Sequence, residues 1–222
     1  MTIIKRIAAP KWWPIEKKTK KFVIVPRGPY LKNLSLPLLV LIRDVLKLAD
    51  NEKEASKIIK KGEILIDGRK RKDPKFGIGL FNIIEIPLMK KAYRAVPKNG
   101  LSFIEIPEKE AKLKICKIVN KKSLKGNKNQ INLNDGRNIL TNENYSTHDS
   151  LLIEVPEQKI IDHIKFAENS TCMIFKGKNA GKIGKIKTIK KDRVLIGDEK
   201  TIEVPKDFVI VVGREQPLVK LE

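Results

Sequence analysis

The chain has 222 residues and a formal net charge of +21, from 47 Lys and Arg against 26 Asp and Glu, with 41% hydrophobic residues. Such an excess disfavours a compact fold unless a polyanion neutralises it, so nucleic acid is the expected partner and anionic membrane the lesser one. The longest apolar run, Leu34 to Ile42, is too short to span a bilayer, no apolar leader follows Lys5 and Arg6, and Cys116, Cys172, His148 and His163 lack metal-ligand spacing; the composition argues against a membrane span, a secretory leader, a metal centre and a disulfide framework.

Residues 1–35 carry no steady period. Pro10, Pro14, Pro26 and Pro29 interrupt the stretch, and Lys5, Arg6, Lys11 and further lysines and arginines stand against a single acid, Glu16. Trp12 and Trp13, the only tryptophans, lie among them. Two readings stay open: a basic arm that pairs phosphates, stacks bases and orders only on RNA, or tryptophans packed on the chain's own core.

Over residues 36–50, Leu38, Leu39, Ile42, Val45, Leu46 and Ala49 fall at helical spacing, with Arg43 and Lys47 on the other face. Asn51 predicts the cap of a second helix, with Glu54 three residues on, and Gly62 its end; Ala55, Ile58 and Ile59 form the apolar stripe and Lys57, Lys60 and Lys61 decorate it. Ile64 and Ile66 with Asp67-Gly68 signal a strand and turn, followed by the run Arg69, Lys70, Arg71, Lys72 and a later strand over Ile83–Ile86. Two short basic helices and a small sheet form a compact RNA-binding layout.

From about residue 100 the pattern turns to strands, expected over Leu101–Ile106, Leu113–Val119, Gln130–Leu133, Leu151–Val155 and Ile160–Phe166. Lys121–Asn129 reads as an exposed basic loop. Asp135, Gly136, Arg137 and Asn138 follow Asn134 as a turn with a charged tip. Five further strands, near Thr171–Phe175, Gly184–Ile189, Arg193–Ile196, Thr201–Val204 and Phe208–Val212, suit a small closed barrel. Within this block Gly177, Gly181 and Gly184 punctuate Lys178, Asn179, Lys182 and Lys185. Glycines permit positive φ and close backbone approach, and the lysines between them suit a phosphate backbone.

Catalysis finds no support. A nucleotide P-loop needs four residues between its glycines and Ser or Thr after the Lys; three separate Gly177 from Gly181, and Ile183 follows Lys182. Gly77-Ile78-Gly79 is a fragment of a dinucleotide fingerprint without its βαβ setting.

The order of these parts resembles the archaeal and eukaryotic small-subunit ribosomal protein S4e family over essentially the whole chain. The resemblance rests on Lys5-Arg6-Ile7-Ala8-Ala9-Pro10-Lys11-Trp12-Trp13, on Leu36–Pro87 as an alpha-L RNA-binding module, on Leu133–Ile139 as a central loop motif, on Gly177–Ile186 as a KOW motif and on the ending Phe208–Gly213 with Pro217. Asn134 stands where that family usually has His, His148 where it has Gly, and Asn82 where it has an acid. The resemblance implies an α+β, multi-domain fold: a basic extension over 1–35, an alpha-L domain over 36–98, a central β domain over 99–169 and an SH3-like KOW barrel over 170–222. It implies a structural constituent of the small ribosomal subunit, cytoplasmic and ribosome-bound, that binds small-subunit rRNA beside neighbouring small-subunit proteins. Catalysis, cofactor, metal, membrane, small-molecule substrate and homo-oligomer are not expected. The ending at Glu222, without the long basic tail of eukaryotic members, suggests an archaeal source. The alternative is a transiently bound KOW-type transcription-elongation or ribosome-biogenesis factor.

Overall fold

The structure, a computed structural model, describes residues 3–98, 100–126, 128–197 and 201–221. The chain forms two compact units, the first from Met1–Ala95 and Gly100–Ala111, the second from Val96–Asn99 and Lys112–Glu222.

In the first unit, β1 (Ile3–Lys5) pairs antiparallel with β2 (Phe22–Ile24), and β3 (Leu36–Pro37) leads into a helix. The helix expected over 36–50 is much shorter: α1 (Leu38–Val40) widens into a π-turn over Leu41–Val45, where Leu46 N–H reaches Leu41 C=O at 2.9 Å. Leu38 to Ile42 are all buried, so tertiary enclosure rather than helical propensity sets this path, and Lys47 ends it at φ 51°. The second helix, α2 (Glu52–Lys61), forms as its caps predict. Asn51 Oδ1 accepts from Glu54 N–H at 3.0 Å, and Gly62 closes it at φ 76°.

β4 (Leu65–Ile66) and β5 (Arg69–Lys70) join through Asp67 and Gly68, both at positive φ. β6 (Gly77–Ile78), β7 (Ile83–Ile86), β8 (Lys91–Pro97) and β9 (Leu101–Ile106) follow. β6 pairs with β3, and the main sheet runs β5-β4-β7-β8-β9. The core gathers Leu36, Leu38, Ile42, Ile59, Ile64 and Ile66 together with Trp13, Ile15 and Val23. Residues 1–35 are therefore not an arm awaiting RNA: they supply a strand pair and part of the first core.

The second unit holds two five-stranded antiparallel sheets. The first consists of β10 (Leu113–Leu124), β11 (Lys128–Leu133), β12 (Asn138–Thr141), β13 (Ser150–Glu154) and β14 (Lys159–Ile164), in the order β12-β11-β10-β13-β14. The loop expected over Lys121–Asn129 is instead a hairpin. Its register pairs Lys122 with Gln130 and Leu124 with Lys128, and Asn127 lies outside the described residues. The other sheet consists of β15 (Thr171–Ile174), β16 (Ile183–Ile189), β17 (Arg193–Ile196), β18 (Ile202–Pro205) and β19 (Val209–Gly213), in the order β18-β17-β16-β15-β19. Its inward face buries Cys172, Ile174, Ile186, Val194, Ile196, Val209 and Val211. The fold is mixed and mostly sheet.

Candidate nucleic-acid interface

On the first unit the exposed cations converge at the end of α2. Lys53, Lys57, Lys60 and Lys61 line one open groove with Lys20. A Cβ built on Gly62 would stand 3.3 Å from Lys72 Cε and 3.9 Å from Lys70 Cδ, so the β4–β5 hairpin lays its lysines beside the helix terminus. Lys60 and Lys61 there complement the helix dipole as well as any bound phosphate. Arg69 and Lys47 are exposed too.

Other cations expected here serve the fold. Arg6 is 6% exposed and its Nε donates to Glu16 C=O at 2.8 Å, so it is a structural residue rather than a free phosphate ligand. Arg43 forks onto neighbouring Asp44, Nε to Oδ1 at 3.0 Å and Nη2 to Oδ2 at 2.8 Å, which occupies the bidentate geometry a phosphate would use. That hydrogen bond, against the opposing effect of burial, raises its pKa. The Arg71 guanidinium stacks 4.4 Å over Phe76. Trp13 is buried, donating to Ser35 C=O at 3.2 Å, and Trp12 donates to Asn33 C=O at 2.9 Å and packs on Gly100. Neither indole is presented for base stacking. Lys5 and Lys11 remain on the surface.

On the second unit the glycine-rich turn closes between β15 and β16. Gly181 N–H donates to Ile174 C=O at 2.7 Å, and Ile174 N–H to Lys182 C=O at 3.0 Å. Gly177 and Gly181 sit at φ 93° and 92°. Gly181 does make a close approach, but to the chain itself: a Cβ there would stand 2.6 Å from Pro97 C=O. Gly184 likewise faces Ile196, whose Cγ2 would be 3.0 Å from its Cβ. The glycines thus shape the turn, while Lys178, Lys182 and Lys185 point their charge outward with Asn179 half-buried between them.

The central turn corrects a second expectation. Gly136, at φ 80°, makes the turn and Asn138 is exposed, but the Asp135 carboxylate is buried rather than held at a charged tip. It accepts from Lys114 Nζ at 3.0 Å and lies 3.2 Å from Arg137 Nε. Burial alone would raise its pKa; Lys114 and Arg137 outweigh that and hold it below the usual carboxylate range.

Three buried cations escaped the sequence reading. Arg94, 1% exposed, pairs with Glu110 at 2.8 Å, and Lys114 with Asp135. Lys117, 4% exposed, donates to Lys206 C=O at 2.7 Å and Val209 C=O at 2.8 Å, tying β10 to the segment entering β19. The available signal was that Ile115, Cys116 and Ile118 stand on both alternating faces around Lys117, which marks a central strand buried on both faces. Two departures from the resembled pattern have visible consequences. His148 takes φ 73°, a conformation suited to glycine, and Asn82 donates to Asp67 Oδ2 at 2.8 Å while accepting from Gly79 N–H at 2.7 Å.

A family model described as "Ribosomal family S4e" matches residues 89–160. The small ribosomal subunit protein eS4 of Methanocella arvoryzae is 40% identical over 225 residues, covering 98% of this chain and 96% of that protein. Its counterpart in Archaeoglobus fulgidus is 43% identical over 228 residues, covering 98% and 97%. The crystal structure of the 30S ribosomal protein S4e from Thermoplasma acidophilum superposes with a TM-score of 0.72 at 30% identity, covering 81% of this chain and 95% of that one.

Proposed function

The chain belongs to the ribosomal S4e family, and from that premise we propose that it holds small-subunit rRNA in its folded form by charge neutralisation and shape complementarity. It is a structural constituent of the small ribosomal subunit. Residues 36–98 act as the alpha-L module and 170–222 as the KOW barrel, with neighbouring small-subunit proteins alongside, no catalytic step, and a ribosome-bound place in the cytoplasm.

The observation that carries this reading is the convergence of Lys60 and Lys61 of α2 with Lys70 and Lys72 around Gly62, with Glu63 3.5 Å from Lys61. Lysines so placed displace condensed counterions and fix the protein on the RNA backbone without reading sequence. Lys178, Lys182 and Lys185 form a second such group. Two groups on one chain act as a multivalent ligand, the second binding at high effective concentration once the first has docked.

The test is the salt dependence of binding between the full chain and small-subunit rRNA. Log affinity falls linearly with log salt concentration, and each phosphate contact removed lowers the slope by about 0.7 to 0.9. Replacing Lys60, Lys61, Lys70 and Lys72 by Gln therefore flattens the slope by roughly three units. An unchanged slope would remove this surface from the interface.

A further inference from the structure

The β10–β11–β12 register places a row of asparagines across three strands. Asn120 lies opposite Asn132, and Asn132 opposite Asn138. The next row on the same face is Lys122, Gln130 and Leu140. Strand alternation sends Ile131 and Leu133 inward, where both are buried, so these six side chains share the outer face. Asn120, Lys122, Asn138 and Leu140 are exposed, and Gln130 and Asn132 half-buried, with Gln130 Nε2 donating to Asn132 Oδ1 at 3.0 Å. Neighbouring strands stand about 4.8 Å apart, so the three asparagines span roughly 10 Å.

Solvent faces of sheets ordinarily carry charges and threonines. This one carries four amides, a lysine and Leu140 at its edge, with no acid and no aromatic in its two rows. The missing aromatics argue against a platform for stacking unpaired bases. The missing acids and the chain's charge of +21 fit a polyanion. Amides both donate and accept, as a ribose 2′-hydroxyl does, and the wide, shallow minor groove of A-form RNA displays rows of these hydroxyls and base edges. We propose that the asparagine row Asn120–Asn132–Asn138 docks in the minor groove of double-stranded RNA and recognises 2′-hydroxyls, while Lys122 meets the flanking phosphate. This rests on the rRNA-binding reading above and adds to it a surface that distinguishes RNA from DNA, which lysines alone do not.

The test measures binding of the full chain to a fully paired RNA hairpin and to the DNA hairpin of the same sequence, across a salt series. The native chain prefers RNA. The variant N120A/N132A/N138A loses that preference by tenfold or more with an unchanged salt slope, because it removes no charge, whereas K122Q lowers the slope and keeps the preference. Thermal unfolding of both variants verifies the fold, and N138A alone, at the sheet edge, gives a partial loss if the triple variant is unstable. A triple or single variant that keeps the native RNA preference overturns the proposal and leaves rRNA binding standing. A native chain that binds neither hairpin nor small-subunit rRNA overturns both.

Discussion

Lys114 Nζ lies 3.0 Å from Asp135 Oδ2, with both side chains 1% exposed. The pair joins the central strand β10 to the turn between β11 and β12, so the turn is anchored from beneath. Asp135→Asn removes the carboxylate that pairs with the buried Lys114 ammonium, and should cost about 3 to 5 kcal/mol in urea unfolding. Because its folded pKa is depressed, Asp135 stabilises the fold above its unfolded value and loses that contribution as pH falls through the folded one. The acid limb of stability against pH should therefore be shallower in the variant.

Lys117 shifts in the same direction for a different reason. Burial lowers its pKa to about 8, against partial compensation from Asp207. Between about pH 8 and 10.5 the unfolded chain binds the proton that the folded chain has released, so unfolding free energy rises with pH over that window, by up to about 3 kcal/mol. A neutral amine still has two N–H donors for Lys206 and Val209 C=O. Lys117→Met should abolish this alkaline gain relative to the native chain, measured as the difference between their stability profiles.

The glycine-rich turn has a steric limit. Gly181→Ala meets both φ 92° and a Cβ contact of 2.6 Å with Pro97 C=O. Destabilisation of about 2 kcal/mol is expected in thermal or urea unfolding, more than the usual cost of leaving a left-handed glycine site. A variant as stable as the native chain would mean that the turn is not held against Pro97.

Local signals were legible wherever one residue fixes a backbone state. Asn51 and Gly62 bound α2, Asp67-Gly68 and Asp135-Gly136 make their turns, and the strands of the last block fall within a residue or two of their expected positions. What sequence could not give was tertiary enclosure. The helix over 36–50 is cut short where its first turns, Leu38 to Ile42, are fully enclosed by the core and the chain turns out at Lys47, φ 51°. β8 was missed because Arg94 interrupts its apolar pattern, and Arg94 is itself buried with Glu110. Among the candidate RNA ligands, counting charges could not separate exposed Lys60 or Lys182 from Arg6, which is buried and donates to Glu16 C=O, and Arg43, which is forked onto Asp44.

The same distinction changes what truncation should do. Trp13→Ala removes a buried indole from the first core and should cost about 3 to 5 kcal/mol. Lys11→Gln, on the surface, should leave stability unchanged within about 0.5 kcal/mol and lower the salt slope of rRNA binding. Deleting residues 1–35 should unfold the first unit, seen as loss of its cooperative unfolding transition, rather than trim an arm.

The central claim is tested most directly by sedimenting a native lysate on a sucrose gradient before and after a high-salt wash, with this chain followed by mass spectrometry. Stoichiometric recovery in the small-subunit peak that survives the wash is the predicted result. Recovery in the light fractions, or loss at moderate salt, would contradict it and indicate a transiently bound RNA-binding factor.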